Sequence, residues 1–149
     1  MEETLDLLRN LKRHLNSVEH MIYVSCKFTR TSEMLRKVME TIVTGYEQYF
    51  AIAYHIFARE EDFALNSVQH KIQFLTENLA NKGIQVDMSD YFLLKRLLLS
   101  DCDTFGEYRK NLSIVSFVDG QEYVINMSKL LEFFENLKGT CNSLNMLMA

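Results

Sequence analysis

Basic side chains gather in two short stretches of the chain that could bind an anionic group. The first stretch is "KFTRTSEMLRK", residues 27–37, which contains Lys27, Arg30 and Arg36. A helix is predicted to begin within it, so the free amides at the helix start and the neighbouring cations could together hold a phosphate. The alternative is a solvated helix start, in which Arg30 pairs with Glu33 or with a neighbouring helix.

The second polar cluster is "EYRKN", residues 107–111. Its candidate ligand-binding side chains are Tyr108, Arg109, Lys110 and Asn111. A guanidinium binds phosphate or carboxylate through parallel N–H donors, so Arg109 is the main candidate of this group. In a purely structural role, Arg109 would instead cap the last carbonyls of a neighbouring helix or pair with Glu107 or Glu122.

No motif in the sequence indicates a catalytic or metal centre. The signatures G-x-S-x-G and H-E-x-x-H and a glycine-rich phosphate loop are absent. No glutamate is followed three residues later by histidine, the unit that metal-binding helical bundles use. The four histidines are His14, His20, His55 and His70. We therefore predict no catalytic residue, no metal and no cofactor.

The cysteines and the start of the chain bear on the cellular compartment. Cys26, Cys102 and Cys141 lie far apart and show no zinc-binding spacing, so we predict reduced thiols in the core. The sequence begins with acidic residues, where a secretory signal has a basic segment followed by an apolar run. The most apolar stretch, residues 49–57, is far shorter than the roughly 20 residues that span a bilayer. We expect a cytoplasmic protein without membrane contact.

Length and composition indicate one globular domain over residues 1–149. The chain is 48% hydrophobic and 24% charged, and it contains no proline, which favours long uninterrupted helices. Its formal net charge of -4 argues against sequence-independent binding to nucleic acid phosphates. A local basic patch is compatible with this charge. We predict an all-α fold, an up-and-down bundle of four to five helices.

Apolar residues at steps of three and four predict the long helices. The first covers residues 4–28, with Val24 and Phe28 widening its apolar face. The second begins at a cap on Thr31 or Ser32 and reaches residue 60. The third covers residues 61–81 and ends at Gly83, which suits a left-handed C-cap.

The second half of the chain is predicted to hold shorter elements. Ser89 could cap a helix through "DYFLLKRLLLS", and "TFGE", residues 104–107, has the spacing of a capping box for a short helix through Arg109. Two β-branched segments flank Asp119 and Gly120, a strong signal for a tight hairpin turn. We therefore predict a short extended flap or hairpin ahead of a last helix, which Asn126 or Ser128 could cap.

The second helix carries apolar residues on more than one face. Such a pattern is typical of a central bundle helix or of a helix shared with a second subunit. Gly45 in its middle would allow close approach of another helix. A homodimer through this helix is the sharper of the two interpretations, and both remain open.

The order of the predicted elements and the segment "YRKNLSIVSF...EYVINMSKLLEFFENL" resemble the HEPN (higher eukaryotes and prokaryotes nucleotide-binding) family. This resemblance implies a dimeric bundle of four or five helices, often encoded beside a nucleotidyltransferase partner, and in many members a metal-independent ribonuclease. Active members carry arginine and then histidine after four to six intervening residues. Arg109 could fill the first place, but Ile114, Val115 and Ser116 occupy the places for histidine, and none of them can transfer protons near neutral pH.

The expected function is therefore a non-catalytic HEPN-like module that binds a nucleotide, RNA or a protein partner. The alternatives are an RNA-cleaving HEPN-type toxin and an unrelated helical adaptor protein.

Overall fold

The computed structural model describes residues 2–58 and 68–148. Across these residues the chain forms five main helices and a three-stranded antiparallel sheet. The helices are α1 (Glu2–His20), α2 (Ser32–Ala58), α3 (Val68–Asn81), α4 (Ser89–Leu99) and α5 (Met127–Met148). The strands are β1 (Cys102–Phe105), β2 (Ser113–Val118) and β3 (Gln121–Ile125). A mainly helical fold with a hairpin before the last helix is confirmed, whereas the all-α class is wrong because of the sheet.

The first helical segment continues beyond α1 in an irregular form. It passes through a π-helical turn, Met21–Ser25, into a last α-helical turn, Cys26–Phe28. A π turn inserts an extra residue, so the side chains that follow are rotated about the helix axis. Cys26 stays buried, but Val24 and Phe28 are exposed. The prediction that these two residues widen the apolar face is therefore wrong.

Helix α2 is the central helix and packs against α1, α3, α4 and α5. Its side chains Tyr46, Tyr49 and Phe50 are fully buried, and the Phe50 ring meets the Tyr91 ring of α4 edge-on at 5.0 Å between centroids. The apolar residues on several faces of α2 are thus covered within one protomer. A homodimer through this helix stays a prediction.

Helices α1, α2 and α5 approach one another closely at Gly45. A Cβ atom placed there would lie 2.7 Å from Cδ2 of Leu137 on α5 and 3.4 Å from the His14 ring on α1. One turn away, the Nε2 atom of His14 lies 2.7 Å from the carbonyl oxygen of Thr41. The expected role of Gly45 in close helix packing is confirmed.

The predicted helix boundaries hold in most places. Thr31 caps α2, because its Oγ1 accepts the Met34 N–H at 3.2 Å, and Asn126 caps α5, because its Oδ1 accepts the Lys129 N–H at 2.8 Å. Residues 59–67, predicted to be helical, lie outside the described residues. After α3, Gly83 adopts the expected left-handed conformation with φ of 76°.

Asp87, rather than Ser89, supplies the side-chain oxygen at the start of α4. Its Oδ1 accepts the backbone N–H of Ser89 at 2.9 Å, and Ser89 itself lies inside the helix. An aspartate two residues earlier can form the same local turn as a capping serine, which explains the shift.

The sheet has the strand order β1-β2-β3 and follows the hairpin signal of the sequence. Asp119 and Gly120 both adopt positive φ, 54° and 79°, as a two-residue turn of this kind requires. The predicted capping box at residues 104–107 is wrong, since Thr104 belongs to β1 and pairs with Ile114. The predicted short helix through Arg109 is also wrong, because residues 106–111 form bends and turns.

The two faces of the sheet differ in what they contact. Ile114, Ser116 and Val118 are buried on the inner face, and the Ser116 hydroxyl donates to the carbonyl of Asp101 at 3.0 Å. The outer sheet face carries Phe105, Val115, Phe117 and Val124, which the strand register places on one side. Within residues 2–58 and 68–148, no helix has both the length and the apolar character needed to cross a membrane.

Candidate functional site

The structure brings the two basic stretches of the sequence together. The backbone N–H of Tyr108 donates to the carbonyl oxygen of Arg30 at 2.7 Å. The backbone N–H of Ser32 donates to the carboxylate of Glu107, at 3.2 and 3.3 Å from its two oxygens. The turn before α2 and the turn after β1 therefore form one continuous surface.

The second turn has an unusual backbone. Gly106 and Tyr108 have positive φ angles of 72° and 68°. A Cβ atom on Gly106 would lie 2.7 Å from Oδ1 of Asn111 and 3.1 Å from its carbonyl oxygen, so only glycine fits there. A tyrosine in the left-handed region costs about 1–3 kcal/mol and persists only where its surroundings hold it. The bond to Arg30 does so here, and the side chain of Tyr108 is 76% exposed.

Positive charge is concentrated at this junction. Residues 27–37 and 106–111 contain six basic and two acidic side chains, in a chain whose formal net charge is -4. Lys27, Arg109 and Lys110 are exposed, and Arg30 is partly buried. An anion near this junction would meet an attractive local potential although the chain as a whole is acidic.

Two aromatic rings accompany these cations. Phe28 is 87% exposed, and it lies only two residues before Arg30, to which the Tyr108 backbone is bonded. Two residues span at most about 7 Å, so the backbones of both aromatic residues lie in the same small region. We refer to the following set as the basic-aromatic surface: Lys27, Phe28, Arg30, Tyr108, Arg109 and Lys110.

Arg36 and Asn111 occupy structural positions. The guanidinium of Arg36 donates to the carbonyl oxygen of Leu98 at 2.7 Å and to Sγ of Cys102 at 3.6 Å, so it joins α2 to the end of α4. Asn111 packs against Gly106 and thereby shapes the second turn. Both were candidate ligand-binding residues, and the structure gives each of them a contact within the protein.

The amides at the start of α2 are also engaged. The N–H of Ser32 binds Glu107, and the N–H of Met34 binds Thr31. A phosphate would compete with these oxygens, so the side chains of the basic-aromatic surface are better placed to hold it. The Nε atom of Arg30 is buried and has no hydrogen-bond partner among the described residues.

His14, His55 and His70 lie away from Arg109 within the protomer. His14 is held at the carbonyl of Thr41, and His55 is 23 residues along α2 from Ser32, or about 35 Å at the helical rise of 1.5 Å per residue. His70 adjoins Lys71, whose ammonium lies 5.5 Å from the ring of Tyr54, at the far end of α2. The arrangement around Arg109 can therefore bind charge, and none of these three histidines is placed to transfer a proton there.

The three thiols are free, and they belong to no metal-binding cluster among residues 2–58 and 68–148. Cys26 and Cys141 are buried, Cys102 is partly buried, and none of them is in a disulfide. Burial raises the pKa of the Cys141 thiol to about 12 and also raises that of Cys26. In the described part of the chain, no group of three or more His, Cys, Asp or Glu side chains could hold a metal ion.

Sequence reasoning found the cations of this surface and missed two of its features. The sequence predicts that Phe28 widens the apolar face of the first helix, and a π turn leaves no clear signal in one sequence. The contact between Glu107 and Ser32 joins residues 75 positions apart, which local patterns do not reveal. Comparison of the chain with family models, with curated proteins and with solved structures found no match.

Proposed function

We propose that this protein is a cytoplasmic, non-catalytic binding module that holds an anionic ligand, a nucleotide or single-stranded RNA, on its basic-aromatic surface. The observation that carries the proposal is the convergence of exposed cations with two exposed rings, Phe28 and Tyr108, at one junction. Cations track a phosphate backbone and aromatic rings stack on bases, and this combination is typical of proteins that bind single strands.

Binding rather than cleavage is favoured by the residues after Arg109. Ile114 and Ser116 are buried in β2, and Val115 lies on the outer sheet face, so these three positions supply no proton donor of the kind that histidine would provide.

We also propose that the protein is HEPN-like, that it forms a homodimer and that it has a nucleotidyltransferase partner. Light scattering tests the dimer, because a strict monomer at high concentration removes it.

Binding is tested with a fluorescently labelled single-stranded RNA and anisotropy at several salt concentrations. Reversing two cations in the variant Arg109→Glu/Lys110→Glu should weaken binding and reduce the slope of log affinity against log salt by about 2. The matched control is Lys12→Glu/Arg13→Glu, an exposed adjacent pair on α1 that makes the same change in net charge. Equal losses in both variants would refute a role for this surface.

Stacking is tested with the variant Tyr108→Trp. The chain contains no tryptophan, so the new indole is a unique fluorescent reporter. We expect quenching by RNA that contains bases and little quenching by an abasic strand, because stacking contributes about 1–3 kcal/mol per base. Gel analysis of the same RNA, with Arg109→Ala alongside, separates binding from cleavage: specific cleavage that the variant loses would favour the ribonuclease alternative.

The adaptor alternative rests on a different observation. Phe105, Phe117 and Val124 are 56%, 61% and 45% exposed on the outer sheet face, and contiguous exposed apolar residues often mark a protein interface. Under this alternative, Phe117→Ser would abolish partner binding and Arg109→Glu would not.

A further inference from the structure

The outer sheet face combines apolar side chains with negative charge. The strand register places Glu122 of β3 directly opposite Phe117, and Asp103 of β1 directly opposite Val115. Both carboxylates are exposed, and the three strands contain no lysine or arginine. A phosphate backbone would be repelled by this charge, so RNA is not expected to extend across the sheet.

This face adjoins the basic-aromatic surface. Phe105 ends β1, and Tyr108 follows three residues later, a distance of at most about 11 Å along the chain. Four of the five most exposed large apolar side chains among the described residues belong to these two surfaces, namely Phe28, Phe105, Tyr108 and Phe117. Exposed apolar side chains that cluster in this way mark an interaction surface.

The two surfaces are complementary to each other in charge. Each carries exposed rings, but the outer sheet face is acidic, whereas Lys27, Arg109 and Lys110 make the other surface basic. Opposite charges around apolar contacts favour one pairing of two proteins and disfavour others. The two surfaces adjoin on one protomer and so cannot cover each other, whereas a second copy can cover both.

We propose that the outer sheet face of one protomer binds the basic-aromatic surface of a second copy, and that the reciprocal contact forms at the same time. Because the two surfaces adjoin at Gly106, a two-fold axis near this residue brings both pairs together in one closed interface. The dimer covers the surface that is proposed to bind RNA. RNA and the second copy therefore compete, a consequence that rests on the proposed function.

The exposed apolar area suits a reversible dimer. A fully covered aromatic side chain buries roughly 150–250 Å², so the four rings, which are 56% to 87% exposed, contribute on the order of 550 Å² per protomer. A standard interface buries about 800 Å² per partner. Val124 and the flanking charged side chains are available for the remainder.

The test is a charge exchange between two variants, followed by sedimentation velocity. Asp103→Lys/Glu122→Lys and Arg109→Glu/Lys110→Glu each place like charges in both contacts of their own homodimer, so each should raise the dimer dissociation constant at least about tenfold. An equimolar mixture of the two variants should form a heterodimer. In that heterodimer the new lysines meet the new glutamates, and the two unchanged surfaces meet each other.

A variant without a charge change tests the competition with RNA. Phe117→Ser removes a ring of the outer sheet face and leaves the basic-aromatic surface intact, so it should be monomeric and should bind labelled RNA more tightly than dimeric wild type does. The matched control is Phe92→Ser, an exposed ring on α4 outside both surfaces, which should dimerise and bind RNA as wild type does. Added RNA should convert the wild-type dimer into an RNA-bound monomer, because it binds only the uncovered surface.

Three results would overturn the proposed interface: a strict monomer in concentrated wild type, a dimer that survives both charge reversals, or a mixture of the reversed variants that stays monomeric. RNA that sediments with an intact wild-type dimer would overturn the competition. If neither wild type nor Phe117→Ser binds RNA, the proposed function fails, whereas recovery of the heterodimer still supports the interface.

Discussion

Removal of the Glu107 carboxylate should destabilise the start of α2, 75 residues away in the sequence. Glu107 accepts the Ser32 N–H at 3.2 and 3.3 Å and thereby satisfies a helix-terminal amide from a distant turn. Loss of a side-chain acceptor at a helix start costs about 0.5–2 kcal/mol, and loss of a negative charge near the positive helix end costs about 0.3–1 kcal/mol at an exposed site. Glu107 is partly buried, so we expect Glu107→Ala to cost about 1–2 kcal/mol.

The assay is thermal and urea unfolding followed by circular dichroism. For a chain of this length, 1 kcal/mol corresponds to a shift in Tm of roughly 2–4 °C, so Glu107→Ala should lower Tm by about 2–8 °C. Glu107→Gln keeps an acceptor oxygen and loses only the charge, and it should therefore fall between wild type and Glu107→Ala. Thr31→Ala removes the other cap of α2, and its loss in free energy of unfolding is the reference with which the loss in Glu107→Ala is compared.

The matched control is Glu33→Ala. Glu33 is exposed in the first turn of α2 and carries the same charge near the same helix end, but the structure gives it no capping role. Its removal should cost no more than about 0.5 kcal/mol. The reasoning is refuted if Glu107→Ala destabilises no more than Glu33→Ala, because the contact between the two turns would then contribute nothing to stability.

Three further perturbations test other parts of the structure by unfolding measurements. Gly106→Ala and Gly120→Ala both place a side chain at positive φ, but only the first brings it within 2.7 Å of Asn111, so the second should cost about 1–2 kcal/mol and the first more. Arg36→Met should cost about 1–3 kcal/mol, because it leaves the carbonyl at the end of α4 without its donor. Burial raises the pKa of Cys141 from 9.0 to about 12, so the unfolded state releases this proton first and stability should fall as pH rises through this interval. The free energy of unfolding, measured between pH 8 and 11, should fall less steeply with pH in Cys141→Ala than in wild type. An unchanged slope would contradict the attribution of this fall to the Cys141 thiol.

Features that depend on neighbouring residues could be predicted from the sequence. Thr31 and Asn126 cap helices because their side chains reach amides only three residues away. Asp119 and Gly120 form the hairpin turn because that pair accepts positive φ. In each case the residue types alone favour one local conformation, and no distant contact is needed to select it.

Strand β1, in contrast, could not be predicted from local sequence patterns. Its sequence, "CDTF", is short and has no alternating apolar pattern, and Asp103 disfavours a strand. It becomes a strand because β2 offers a free edge, with Thr104 opposite Ile114 and Phe105 opposite Ser113. The same tertiary effect converts "TFGE" from an apparent capping box into the end of a strand followed by a turn.

The candidate site likewise contains residues that the sequence reveals, in a spatial arrangement that it does not reveal. Lys27, Arg109 and Lys110 are visible as cations in the sequence, but their assembly on one surface depends on the bond between Tyr108 and Arg30. Substitutions such as Gly106→Ala, which disturb the turn without changing its charge, should weaken RNA binding as well as stability. A charge reversal at Arg109 should weaken binding while the free energy of unfolding stays nearly unchanged, since that side chain is exposed. The two classes of variant therefore distinguish a surface whose geometry matters from one that acts only through its net charge.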